Sequence, residues 1–156
     1  MKIPHSISYL LTACLALAAL TVGTTVAHAE AANWPSYLAS LKQDSSNGVK
    51  AAAIYSLDGS KLAADVAAKP GEIAALADGL KNIAHFKSGG INFGGSKYVF
   101  VTTRSPEGVV GKLGSTSIVV RPTGKGLLIV LTKDNADGSR ITSVDAVADR
   151  LKAQGL

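Results

Sequence analysis

Cysteine occurs once in the 156 residues, at Cys14, and histidine three times, at His5, His28 and His85. Cys14, His5 and His28 all lie within the first 29 residues, a stretch that reads as a leader. The remaining chain has no thiol and one imidazole, which excludes disulfides, thiol catalysis and cysteine metal sites there. No group of His, Asp and Glu has metal-ligand spacing; Asp134, Asp137 and Gly138 echo a calcium loop with an incomplete ligand count. His85 sits in a lysine-rich segment and reads as a solvated loop histidine. Neither Gly94-Gly95 nor Thr123-Gly124-Lys125-Gly126 completes a phosphate or dinucleotide fingerprint, and each lies between strands rather than ahead of a helix. These shortages argue against an enzyme and leave a binding module as the default, with no cofactor expected.

Hydrophobic residues make up 47% and charged residues 17%, a composition that excludes a disordered or collagen-like chain. The length suits one domain. Lys2 precedes an apolar run from Ile7 to Val26, and Ala27-His28-Ala29 supplies small residues at the −3 and −1 positions of a cleavage site. Residues 1–29 therefore read as a secretory leader, probed against two alternatives. A membrane anchor is opposed by Thr12, Gly23, Thr24 and Thr25 and by the lack of a cationic stop; a lipoprotein box at Leu11-Thr12-Ala13-Cys14 comes too early in the run. Residues 30–156 form the domain. Lys2 is the only charged residue of the leader, so the domain keeps 15 basic against 11 acidic residues, a net charge of +4. That excess suits acidic partners and is also an ordinary solubility charge.

Along the domain, Trp34-Pro35 opens a short amphipathic helix in which Trp34, Tyr37 or Leu38, and Leu41 share a face. After the polar loop Asp44 to Gly48, Val49 to Leu57 reads as a buried strand, and Asp58-Gly59 turns it into an antiparallel partner from Ser60 to Asp65. Pro70-Gly71-Glu72 starts a second helix, with Ile73, Leu76, Ala77, Leu80, Ile83 and Ala84 at helical spacing, and His85 to Gly90 follows as loop. Five short strands come next, Ile91–Phe93, Lys97–Thr103, Val109–Leu113, Ser117–Arg121 and Leu127–Thr132, separated by turn residues such as Ser105-Pro106. A last helix over Ser139–Gln154 buries Ile141, Val144, Val147 and Leu151. Tight turns force antiparallel pairing, so the expected class is α+β around one antiparallel sheet.

An ordered series of short motifs spans nearly the whole domain: Trp34-x-x-Tyr37, Ala51-Ala52-Ala53-Ile54, Asp58-Gly59-Ser60, Pro70-x-Glu72-Ile73, Gly94-Gly95-Ser96-Lys97-Tyr98, Gly111-Lys112-x-Gly114-Ser115, Thr123-Gly124-Lys125-Gly126-Leu127 and Gln154-Gly155-Leu156. In this series the chain resembles the profilins, small proteins that bind actin monomers. The resemblance implies a central antiparallel sheet with the first and last helices together on one face and a further helix on the other. It implies an aromatic groove for polyproline, occupied here by Trp34, Tyr37, Leu151 and Leu156, where preformed PPII ligands dock with little entropy loss. It also implies an actin surface, matched here by Lys97, Phe100, Lys112 and Gly138.

The sequence departs from the family pattern at Leu62 and Arg150 in the groove, where aromatic residues or histidine are usual. On the actin surface it departs at Thr102, Val110, Ala136, Thr142 and Ala146. The alternative for Trp34 and Tyr37 is plain packing of their helix on the sheet, and for Lys97 and Lys112 plain solvation. The implied partners are monomeric actin, proline-rich peptides and anionic phosphoinositide lipids, with no nucleic acid and a monomeric chain. Profilins are ordinarily cytosolic, so the leader implies either an exported member or a misread start of a protein of the cytoplasm and cytoskeleton.

Overall fold

The computed structural model describes residues 33–43, 48–104, 107–133 and 138–156. Residues 1–32, 44–47, 105–106 and 134–137 and the side chains of residues 138–141 lie outside the described residues, and with them the expected leader, the expected polar loop from Asp44, the turn at Ser105-Pro106, Asp134, Ala136, Asp137 and the expected burial of Ile141. Helix α1 (Trp34–Gln43) precedes β1 (Val49–Ser56) and β2 (Lys61–Ala64); α2 (Glu72–Lys81) and α3 (Ala84–Gly89) follow. Then come β3 (Ile91–Phe93), β4 (Ser96–Arg104), β5 (Gly108–Leu113), β6 (Thr116–Pro122) and β7 (Gly126–Lys133), and α4 (Gly138–Ala153) ends the series. The strands form one seven-stranded sheet in the order β2-β1-β7-β6-β5-β4-β3, every pairing antiparallel.

Side chains alternate across that sheet because successive Cβ atoms point to opposite faces. On one face Ala52, Ile54, Leu128, Val130, Val119 and Val110 pack against Leu38 and Leu41 of α1 and Val144, Val147, Ala148 and Leu151 of α4. On the other, Ala53, Ile129, Val120, Ile118 and Tyr98 pack against Ile73 and Leu76 of α2 and Phe86 of α3. Helices therefore cover both faces, which is why Ala51–Tyr55 is buried throughout. Its three alanines have poor strand propensity; the small side chains let the covering layers come close, and burial decides the conformation. Among the described residues no helix is long and apolar enough to cross a membrane.

The expected second helix is shorter than its apolar spacing suggests. Asn82 leaves the helix at φ −137°, ψ 90° after its N–H bonds Asp78 O, and its side-chain Oδ1 accepts the N–H of Ala84 at 3.2 Å. One asparagine thus ends α2 and caps α3, as short polar side chains that bond nearby backbone do. His85 consequently stands exposed on a helix rather than in the loop expected for it. Phe86 lies against Gly79 of α2, where a Cβ would come within 2.3 Å of the ring.

Gly94 and Gly95 adopt φ 60° and 77°, the left-handed pair that a two-residue hairpin requires between β3 and β4. Their N–H groups donate to Glu72 at 2.7 and 2.9 Å, and the N–H of Lys69 donates to the same carboxylate at 2.7 Å. The start of α2 is thereby tied to the hairpin that delivers Lys97 to the sheet.

Asp65 performs a similar task for α1. Its carboxylate accepts the N–H of Ala52 at 3.0 Å and pairs with Lys42 of α1 at 2.8 Å. Burial pushes this carboxyl up, but the Lys42 ammonium and the Ala52 N–H outweigh it and hold the group below its ordinary value. A depressed carboxyl stabilises the fold above the unfolded-state value, about pH 4, and loses that contribution as pH falls through the folded one. The stability gap between the protein and its Asp65→Asn variant, measured by denaturant unfolding, is therefore expected to narrow between about pH 5 and about pH 3. A gap of constant size across that range would count against the assignment.

Candidate functional site: two surfaces on one sheet face

The first surface is the seam between α1 and α4. Trp34 and Tyr37, one turn apart, bring their rings to 6.2 Å at 35°, and both are half-buried against the cluster beneath. Leu151 has no exposed surface and Leu156 is 7% exposed. Gly155, at φ 86°, turns the chain after α4 so that the N–H of Leu156 reaches Leu151 O at 3.1 Å. The Leu156 side chain comes to rest over Gly126, where a Cβ would lie 3.0 Å from Leu156 Cγ and 2.5 Å from Tyr55 O. All four residues expected in the groove thus meet in one cluster, with Leu151 and Leu156 as its floor and Trp34 and Tyr37 as the parts within reach of a ligand. Leu62 is half-buried in the same cluster, and Arg150 is exposed on α4.

The second surface is the part of the same sheet face at β4 and β5. Val99 lies directly opposite Lys112, and Lys97 precedes Val99 by two, so the three side chains share a face. Val99 is 69% exposed and Val101, at the register shift between Phe100 and Thr102, is 56% exposed. A row of apolar surface flanked by two lysines is the result, unusual among the described residues, whose other valines are buried or half-buried. Phe100 lies opposite Gly111 and is half-buried on the face that α2 and α3 cover. It is therefore not on the face of Lys97 and Lys112; Val99 takes that place, and the alternation Lys97-Tyr98-Val99-Phe100 carried the signal. Gly138 is the first residue of α4.

Between the two surfaces runs an ionic tie that sequence reading missed. Arg121, in the middle of the apolar strand β6, is 2% exposed. Its Nε lies 2.9 Å from Asp145 Oδ1 of α4, out of line for a hydrogen bond, and its Nη1 has no hydrogen-bond partner. Arg104 of β4 approaches the other oxygen of Asp145 at 3.6 Å. Gly108 makes room, since a Cβ there would meet Arg121 Cδ at 2.6 Å. An arginine interrupting a run such as Ser117-Ile118-Val119-Val120 was the available cue. Among the described residues no three of His, Cys, Asp and Glu converge as for a metal.

The family model for profilin matches residues 32–156. The chain belongs to the profilin family. Profilin-2 of Acanthamoeba castellanii is 34% identical over 110 residues, covering 69% of this chain and 86% of that protein. Among solved structures, Acanthamoeba castellanii profilin IB aligns with a TM-score of 0.67 at 26% identity, over 79% of this chain and 99% of that one. Mouse profilin IIa, solved with a double repeat from the FH1 domain of mDia1, aligns with a TM-score of 0.66 over 80% of this chain and all of that one; at 21% identity the likeness is one of fold. The profilin fold accounts for the arrangement of helices on the sheet, and it is the fold of a binding protein rather than of an enzyme.

Proposed function

We propose that this chain binds monomeric actin through the β4–β5 face and so modulates actin polymerisation. The observation that carries the reading is the alignment of Lys97, Val99 and Lys112 on one sheet face, with Val99 69% exposed, in a member of the profilin family. A basic rim around exposed aliphatic surface suits an acidic partner surface, in which the apolar centre supplies affinity and the charges supply register. Thr102, Thr142 and Ala146 are small or uncharged on the accessible surface beside it, so the lysines and Val99 carry most of the interaction. In pyrene-actin assays the protein is expected to slow spontaneous polymerisation at micromolar excess, and Lys97→Glu to weaken that effect about tenfold or more. Polymerisation unchanged by the protein, or equally slowed by the variant, would refute the reading.

A second surface is proposed for proline-rich segments, in the seam of α1 and α4. The paired rings of Trp34 and Tyr37 support it, as does the FH1 repeat bound to mouse profilin IIa. We further read residues 1–29 as an export leader; N-terminal sequencing of protein from culture medium and from cell fractions tests both processing and compartment.

A further inference from the structure

Helical geometry fixes what faces the seam of α1 and α4. One flank of α4 carries Asp145 and Lys152, which reach Arg104, Arg121 and Glu107 on the β4–β6 side. Its underside carries Val144, Ala148 and Leu151, all buried. With 100° between successive residues, Val147 and Arg150 take the remaining flank, toward α1. On α1, Lys42 turns to Asp65 beside β2, so Tyr37, on the other flank, looks toward α4. Tyr37 and Arg150 therefore border the same seam from its two sides. Arg150 is exposed, and among the described residues its side chain forms no ion pair or hydrogen bond; Lys42, the cation at the end of α1, is already neutralised by its partner.

From this juxtaposition of an aromatic wall and an unpaired guanidinium we infer that the groove selects proline-rich segments carrying an acidic residue beside the proline run. The inference rests on the proline-rich reading of the same groove and adds its specificity. A PPII segment has three residues per turn and rises 3.1 Å per residue, so rings 6.2 Å apart span less than one turn of about 9 Å, and side chains on its other edges are free to reach the opposite wall. Docking removes water from around Arg150, and a carboxylate on the ligand replaces it with a fork-shaped pairing that an uncharged proline run cannot supply.

The test is a Trp34 fluorescence titration with three synthetic peptides: a run of about twelve prolines, the same run flanked by one glutamate, and the same run flanked by one lysine. The protein is expected to bind the glutamate peptide about threefold to fivefold more tightly than the all-proline one, the scale of a solvated ion pair. Arg150→Ala should abolish that preference, Arg150→Glu should shift it to the lysine peptide, and about 0.5 M salt should erase it. Equal binding of the all-proline and glutamate peptides would overturn the inference and leave the groove standing. No response to any peptide would overturn the groove and the inference together.

Discussion

Asp145→Ala is expected to lower the unfolding free energy by about 3 kcal/mol, although Asp145 is only a partly covered residue on the last helix. The loss comes from its partner. Arg121 is 2% exposed, and its charge is balanced by a carboxylate 2.9 Å away; breaking a buried pair from one side leaves an uncompensated charge, which costs about 3–5 kcal/mol. We take the lower end because Asp145 retains a quarter of its exposure. Removing both charges is a different experiment. The double variant Arg121→Met with Asp145→Leu should recover most of the loss, since a pair with an unsatisfied Nη1 has repaid little of its desolvation. Equilibrium denaturation of the two variants checks this. A loss below about 1 kcal/mol for Asp145→Ala would mean that the pair is effectively solvated.

The second large effect is expected at Leu151. Its side chain has no exposed surface and lies where α1, α4 and the sheet meet. Truncation to alanine removes buried methyl groups and opens a cavity in a site held from three sides, at about 3 kcal/mol within the usual range of 2–5. Leu151→Met, which keeps the volume, should cost less than about 1.5 kcal/mol. The alanine variant should also change the fluorescence of Trp34, the only tryptophan of the chain, because the floor under its helix is lost. An alanine variant as stable as the parent would mean that α4 does not hold the groove together.

The sheet and its flanking helices were legible in the sequence because each element carried a clean period and a turn signal. β3 to β7 are separated in sequence by Gly-Gly, Ser-Pro-Glu, Gly-Ser and Thr-Gly-Lys-Gly, and each strand begins and ends within a residue or so of the expected place. The break at Asn82 was not legible, since the apolar spacing runs on through Ile83 and Ala84 and only a side-chain bond to the backbone of Ala84 reveals the second cap. The four residues assigned to the groove came from the family pattern, and the structure shows what pattern cannot: which two of the four lie beneath the surface. The opposite faces of Val99 and Phe100 were legible in the alternation along β4; that Val99 meets Lys112 follows from the pairing register, which a single strand read alone does not reveal. Arg121 and Asp145 are 24 residues apart and meet only through the crossing of α4 over β6, so no local signal joined them.

Chemical-shift mapping of the isotope-labelled protein tests most directly whether two separate docking surfaces share one sheet face. Unlabelled monomeric actin should perturb the amides of Lys97 to Val101 and of Lys112, and a proline-rich peptide those of Trp34 to Leu38 and of Leu151 to Leu156, with the two sets disjoint. Shifts from actin confined to α1, or none at all on β4 and β5, would contradict that arrangement.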